Sequence, residues 1–178
     1  MAKIGYIRKV EKITLHLIRH AKSSWDNPVL ADIERPLNQR GKRSCRVIAP
    51  KIVELGCDFQ QVIASNAIRA QQTIEGIANS LPNIQLQWHT KTQLYTFNAS
   101  ALLAYLQSLE LHSSNLVVIG HNPALTDLCN YLTGSDIDNI PTAGYAQLTS
   151  IGPISWQDLT RNSFALCHFI KPKDFKTN

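Results

Sequence analysis

The chain has 178 residues, a length that suits one domain with one hydrophobic core. Hydrophobic residues make up 44% and charged residues 17%, a composition that excludes disorder for most of the chain. The net charge of +5 favours anionic ligands such as phosphates, nucleic acids or acidic proteins, without choosing among them. We therefore expect one domain over 1–178, with a core at about 13–170 and loosely held basic and polar ends at 1–12 and 171–178.

The four cysteines are scattered and form no CxxC pair, so they predict neither a zinc site nor a disulfide framework. No apolar run approaches the ~18 residues that a membrane helix needs, and the first twenty residues contain no continuous apolar stretch typical of a signal peptide. These observations predict a cytoplasmic protein without a membrane partner.

Strands and helices alternate along the chain. Residues 13–18 (ITLHLI) predict a buried strand, and Asn38 predicts the N-cap of a helix that Gly56 ends. Asn122 is expected to cap a later helix, with Pro123 in its first position. Further strands are predicted at 59–64, 84–88, 116–119, 143–151 and 163–170, and further helices at 67–80, 99–109 and 123–132.

This alternation predicts an α/β fold, a three-layer α/β/α sandwich with a mostly parallel sheet and a final hairpin at the sheet edge. Between Arg69 and His121 the predicted elements use most of the residues, which leaves no room for a capping subdomain. A site without such a cap is open and accessible to a side chain on another protein's surface.

Polar residues follow three of the predicted strands, and the carboxyl ends of parallel strands meet at one edge of a sheet. Arg19 and His20 follow the first strand, 65–69 the second, and 120–122 the LVVI strand. Two arginines and two histidines, with Arg69 and His121 the later pair, are thus expected to lie together.

This set suits phosphoryl transfer, in which negative charge spreads over the equatorial oxygens and a nucleophile attacks in line. The forked guanidinium groups of Arg19 and Arg69 match phosphate oxygens, and His121 can add a donor. His20 is then free to attack. The helix that opens at Asn122 is expected to direct backbone N–H groups toward the same anion.

Four segments, in order, also resemble the histidine phosphatase (phosphoglycerate mutase-like) superfamily and, within it, the SixA-type phosphohistidine phosphatases. They are LHLIRHAKSSW from residue 15, ERPLNQRG at 34–41, ASNAIRAQQT at 64–73 and VVIGHNPAL at 117–125. The resemblance implies that His20 accepts the phosphoryl group, that Arg19 and Arg69 bind phosphate, and that His121 is a second histidine of the pocket. It implies a phosphatase that uses no metal and no cofactor.

Many phosphomonoesterases of this superfamily carry a glutamate general acid in the stretch that corresponds to 93–97, but QLYTF contains no carboxylate. Asp26, Asp32 and Glu34 are nearby in sequence and could serve as the acid, although each is expected to be a solvated loop residue or a cap. An imidazole leaving group, with a pKa of about 6.5, departs more readily than an alkoxide and needs the acid least.

The sequence therefore predicts a phosphatase that removes phosphate from phosphohistidine of a signalling protein, such as a phosphotransfer domain. Two alternatives stay open: a small-molecule phosphomonoesterase of the same superfamily, and a non-catalytic module that binds phosphate. A nucleic-acid partner is not expected, because the chain has neither an RNP-like aromatic signature nor a basic stripe.

Overall fold

The computed structural model of the protein describes residues 11–175, so most of the expected basic lead-in and the last three residues lie outside the described part of the chain. The strands are β1 Thr14–Arg19, β2 Val62–Ser65, β3 His89–Lys91, β4 Asn115–Gly120, β5 Tyr145–Ser150 and β6 Phe164–Ile170. The helices are α1 Gln39–Glu54, α2 Ile68–Ala78, α3 Ala99–Gln107 and α4 Ala124–Thr133.

The six strands form one sheet in the order β3-β2-β4-β1-β5-β6. Strands β3, β2, β4 and β1 pair in parallel, and β5 is antiparallel to both β1 and β6. Strand β5 is therefore antiparallel to the other five strands of the described sheet. The expected mostly parallel sheet and its edge hairpin are confirmed.

Helices cover both faces of the sheet and enclose two apolar clusters. One cluster packs between the sheet and α3 and α4, and the other between the sheet and α1 and α2. Successive residues of a strand point to opposite faces, so Leu17 lies in the first cluster and Ile18 in the second. Burial of each such side chain stabilises the fold by about 1.5–3 kcal/mol. The expected three-layer α/β/α sandwich is confirmed.

The start of α1 fixes the long loop that follows β1. The side chain of Asn38 accepts a hydrogen bond from the Gly41 backbone N–H at 2.9 Å, which confirms the predicted N-cap. A Cβ atom at Gly41 would lie 2.2 Å from the carbonyl oxygen of Lys22, so only glycine permits this close approach. The loop from Lys22 to Asn38 therefore ends close to the residue at which it begins, and the Asn38 backbone N–H donates to the Lys22 carbonyl at 3.0 Å.

The strand predicted at 84–88 is wrong, since this segment is irregular and β3 begins only at His89. Ile84, Leu86 and Trp88 instead pack against the cluster beneath α1 and α2. Apolar residues alternate with polar ones here because one side of the segment packs against the core. An irregular segment can bury one side in this way as well as a strand can. Within residues 11–175, no helix combines the length and apolar character needed to cross a membrane.

Candidate active site

The candidate site lies at the carboxyl ends of β1, β2 and β4, which are neighbours in the sheet. His20 follows β1, Ser65 ends β2 and His121 follows β4. Arg69 lies in the first turn of α2, immediately beyond β2. The fold thus brings to one edge the residues that the strand ends predicted.

His20 is held in one tautomer by the backbone. Its Nδ1 lies 2.8 Å from the carbonyl oxygen of Ala21, and because a carbonyl can only accept, Nδ1 carries the proton. Its Nε2 therefore carries a lone pair, which accepts a hydrogen bond from Arg69 Nε at 3.2 Å. Burial lowers the pKa of His20 to about 4, an effect that the bond to Ala21 opposes and the positive charges of Arg69 and Arg19 reinforce. At neutral pH the imidazole is uncharged.

His121 faces His20, with 5.0 Å between their ring centroids. Its Nδ1 lies 3.4 Å from Arg69 Nη2, which can only donate, so Nε2 carries the proton and donates to Ser65 Oγ at 2.8 Å. Burial, together with the smaller effects of His20 and Arg69, lowers the pKa of His121 to about 3. This histidine is also uncharged at neutral pH.

Arg69 connects the two histidines. It is only 3% exposed, whereas the preceding Ile68 is 40% exposed, so the first turn of α2 directs the arginine inward. Thr73, one turn later, donates to the Arg69 carbonyl at 2.6 Å and accepts from the backbone N–H of Ala21 at 2.9 Å. Thr73 thereby fixes α2 against the residue that orients His20.

Arg19 lies in the same site but has different partners. Its Nη1 donates to Asn139 Oδ1 and to the Ile140 carbonyl, both at 2.9 Å. Its buried Nε has no hydrogen-bond partner among the described residues. The positive charge of Arg19 also lowers the pKa of His20 and of His121, although by less than burial does. The positive charge of Arg19 therefore acts on both rings.

The predicted capping role of Asn122 is wrong. Its side-chain nitrogen donates to Asn139 Oδ1 at 2.7 Å and to the Ile140 carbonyl at 3.0 Å, the same two acceptors that Arg19 uses. The Asn122–Pro123 peptide bond is cis, and α4 begins at Ala124, so Pro123 precedes the first helical position. Asn122 thus lies in the site and lines it beside Arg19.

Asp32 is exposed, as expected of a loop residue, but its carboxylate also binds side chains of the site. Its Oδ2 accepts from Arg69 Nη2 at 2.7 Å and from the Tyr95 hydroxyl at 2.8 Å, and its Oδ1 accepts from Arg35 Nη1 at 2.8 Å. Arg69 also donates to the Asp32 backbone carbonyl. Burial favours the neutral acid, but the bonds from Tyr95 and Arg69 outweigh it and hold the pKa of Asp32 below its usual range. Asp32 is a carboxylate at neutral pH.

The other two acids of this loop behave as expected. Glu34 accepts from the backbone N–H of Ala31 at 3.1 Å and so caps the short helix Asp32–Glu34. Asp26 is exposed. Asp32 differs because the loop closes at its base, where Ser23 forms a β-bridge with Leu37, so that the middle of the loop lies over Arg69.

Two aromatic side chains border His121. Tyr95 meets its ring edge-on at a centroid distance of 5.3 Å, and Phe97 lies at 5.6 Å. Both come from the stretch 93–97, which was noted in the sequence only for lacking a carboxylate. This stretch therefore supplies aromatic rings and one hydroxyl to the site. Within residues 11–175, no group of three or more histidine, cysteine or acidic side chains is placed to hold a metal ion.

Known proteins resemble the part of the chain that forms this site. The model of the histidine phosphatase superfamily (branch 1) matches residues 15–101, a range that contains His20 and Arg69. Over this range the chain is similar to the histidine phosphatase superfamily.

Three similar proteins illustrate the range of relatives. An uncharacterised chloroplast protein of Arabidopsis thaliana is 28% identical over 152 residues, which are 81% of this chain and 69% of that protein. The structure of the protein histidine phosphatase SixA in complex with tungstate matches with a TM-score of 0.75 at 21% identity, covering 92% of this chain and 100% of that one. Phosphoglycerate mutase from Bacillus anthracis matches with a TM-score of 0.66 at 13% identity, covering 82% and 91%. Both structures share the fold of this protein.

Proposed function

We propose that the protein is a phosphohistidine phosphatase that transfers a phosphoryl group from a signalling protein to His20 and then hydrolyses phospho-His20. The observation that carries this proposal is the state of His20, an uncharged imidazole whose Nε2 lone pair lies 3.2 Å from a guanidinium nitrogen of Arg69. A nucleophile must be unprotonated, and here the protein keeps it so at neutral pH.

In the first step, Nε2 of His20 attacks phosphorus while the bond from phosphorus to the substrate imidazole nitrogen breaks. The substrate ring carries a proton on its other nitrogen, so the departing group takes the electron pair of the broken P–N bond and leaves as neutral imidazole. Phosphorylation at Nε2 with Nδ1 still protonated leaves a positive ring, and the Ala21 carbonyl, 2.8 Å from Nδ1, stabilises that charge. One P–N bond replaces another, so the step is close to thermoneutral.

The phosphoryl oxygens are assigned to Arg69, Arg19, Asn122 and His121. Arg69 now gives Nη2 to the Asp32 carboxylate, and a phosphate oxygen would replace that carboxylate. The buried Nε of Arg19 supplies another donor. A bound phosphate would also raise the pKa of His121, since its charge opposes the burial and neighbouring cations that now lower this pKa.

In the second step, water attacks phosphorus, the P–N bond to His20 breaks, and the electron pair returns to Nε2. Asp32, which is ionised and which the phosphoryl group displaces from Arg69 Nη2, is assigned to accept the proton of that water.

The state of Asp32 supports phosphohistidine as the substrate. An ionised Asp32 cannot donate a proton to an alkoxide, and 93–97 offers a tyrosine in place of a carboxylate. An imidazole leaves without such a donor. The alternative, a small-molecule phosphomonoesterase, is supported by the shared fold with a putative α-ribazole-5′-P phosphatase from Escherichia coli, which matches with a TM-score of 0.63 at 16% identity.

Side-by-side kinetics separate the two candidates. We expect kcat/KM for a phosphohistidine-bearing phosphotransfer domain to exceed that for 3-phosphoglycerate by about ten-fold or more, since only the ester needs the absent acid. A value for the sugar-acid phosphate at or above that for the protein would overturn the substrate assignment and leave the phosphatase assignment intact.

The reaction is proposed to need neither metal nor cofactor, because arginine side chains supply the positive charge. Activity should be unchanged by EDTA. Activity that disappears with EDTA and returns with Mg²⁺ or Zn²⁺ would contradict this assignment. The cysteines are free thiols, three of them buried, which supports a reducing cytoplasm as the location.

A further inference from the structure

We propose that a basic groove beside the candidate site docks an acidic surface of the protein that carries the phosphohistidine. The groove encloses about 330 Å³ between the first half of α1, the loop before β5 and the segment after β6. Its four cationic lining residues are Arg40, Arg43, Lys171 and Lys173, and its lining contains no acidic residue. This inference rests on the proposed function and names the surface by which the substrate protein is recognised.

The topology places this groove at the same edge of the sheet as His20. Helix α1 begins after the loop that follows β1, so its first turns lie at the carboxyl edge of the parallel strands. Strand β5 runs against β1 and therefore begins at that edge, and β6 runs with β1 and ends there. Pro141, Thr142 and Lys171, which flank these two strands, consequently line the groove at the edge where the site lies.

The wall of the groove is continuous with the floor of the site. Pro141 directly follows Ile140, whose carbonyl accepts the hydrogen bond from Arg19 at 2.9 Å. Ala143, just beyond the groove lining, donates its backbone N–H to the Arg19 carbonyl at 3.1 Å. A protein seated in the groove would therefore contact the segment that holds Arg19.

The chemistry of the lining favours an acidic protein surface. Arg40 and Arg43 are three residues apart on α1 and share a face with Val47, and Pro141 and Pro172 add apolar area. The nearby Asp174 accepts a hydrogen bond from the backbone N–H of Lys171. Cations mixed with apolar contacts match a protein rim, whereas single-stranded nucleic acid would call for aromatic stacking, and the lining contains no aromatic residue.

The test compares two variants of equal net charge. Arg43→Gln/Lys173→Gln removes two exposed charges from the groove, and Lys12→Gln/Arg161→Gln removes two exposed charges from the opposite edge, before β1 and between β5 and β6. Each is assayed with an acidic phosphotransfer domain phosphorylated on histidine and with phosphoramidate, a P–N substrate too small to contact the groove while it is bound at His20.

We expect the groove variant to lose about ten-fold or more in kcat/KM for the phosphorylated domain at low salt, with a weaker salt dependence. Its turnover of phosphoramidate should equal that of the wild-type protein, and the control variant should resemble the wild type on both substrates. Equal losses in the two variants would overturn the proposal, as would a loss on phosphoramidate. Tighter groove-dependent binding of an RNA oligonucleotide than of the acidic domain would overturn it as well.

Failure of the proposed function gives a different result, namely a wild-type protein that turns over neither substrate. Binding of the unphosphorylated acidic domain is therefore measured by calorimetry for all three proteins. Weaker binding by the groove variant alone supports docking even in that case, and identical binding overturns it.

Discussion

Two histidines of the first strand region have the same low pKa but different surroundings. Burial lowers the pKa of His16, in the middle of β1, to about 4, and burial also lowers the pKa of His20, just past the end of β1, to about 4. His16 contacts the Tyr145 hydroxyl at 2.8 Å, whereas His20 contacts the guanidinium of Arg69 at 3.2 Å.

The comparison teaches that a lowered pKa does not by itself identify a reactive histidine. Burial acts on both rings because both lie in or beside the sheet. Only His20 combines an available lone pair with fixed positive groups that could receive the charge of a phosphoryl group. The position relative to the strand end, more than the pKa, separates the two.

The largest expected effect comes from replacing each of these histidines. His20→Ala should lower turnover at least roughly 10³-fold, since it removes the nucleophile. His16→Gln should keep turnover within about two-fold of wild type and lower the free energy of unfolding by about 1–3 kcal/mol. Kinetics and urea denaturation of both variants measure these effects, and a His16→Gln enzyme as inactive as His20→Ala would break the comparison.

His121→Ala should lower kcat on the order of 10²-fold, as loss of a transition-state donor does. The reason is that the His121 ring lies 5.0 Å from the His20 ring, between centroids, and its Nδ1 lies 3.4 Å from Arg69 Nη2. A variant with normal kcat and a lower Tm would instead give His121 the structural role of His16.

Much of this site followed from the sequence because it depends on local order along the chain. His20, Arg69 and His121 each lie within a few residues of a strand end, and parallel strands bring their carboxyl ends together. Asp32 and Tyr95 could not be predicted in the same way. Their contacts arise from loop closure and from an aromatic stretch without a chemical signature, which depend on tertiary packing.

The same distinction explains the errors in the fold. The alternation at 84–88 predicted a strand, but Ile84 and Leu86 pack on one side of an irregular segment. Asparagine is a residue type that often caps helices, yet the side chain of Asn122 binds Asn139 and Ile140, which are distant in sequence. Long-range partners overrode the local preference in both places.

Acidification should lower the free energy of unfolding, and protonation of His16 should account for part of the slope of this free energy against pH. The folded pKa of about 4 lies below the unfolded value of 6.5, so between these pH values the unfolded chain binds a proton that the folded protein does not. Stability contributed by the neutral ring is thus complete above pH 6.5 and is lost as the pH falls to about 4, by about 1.4 kcal/mol per pH unit for each histidine.

His16→Gln tests this directly, since it should reduce the slope of unfolding free energy against pH by about one proton. Urea denaturation at pH 7, 6 and 5 provides the slopes. Parallel lines for the variant and the wild type would show that His16 does not bind a proton on unfolding.

The smallest expected effect is that of Asp32→Asn on anion binding. The Asp32 carboxylate now occupies Arg69 Nη2 at 2.7 Å, and an amide would compete less strongly with phosphate for that donor. Inhibition by inorganic phosphate should become several-fold tighter, roughly 1 kcal/mol. Asp26→Asn serves as the matched control, since Asp26 is also an exposed residue of this loop but does not bind Arg69. Equal inhibition constants for both variants would remove Asp32 from the anion site.

The central claim is that His20 carries the phosphoryl group, and trapping that intermediate tests it most directly. The protein is mixed with a labelled phosphohistidine domain, quenched in alkali within the first turnover and mapped by peptide mass spectrometry. Acid-labile, alkali-stable label should be found on His20 in the wild type and in His16→Gln, and should be absent from His20→Ala. Turnover without label on His20, or label on another residue, would contradict the account.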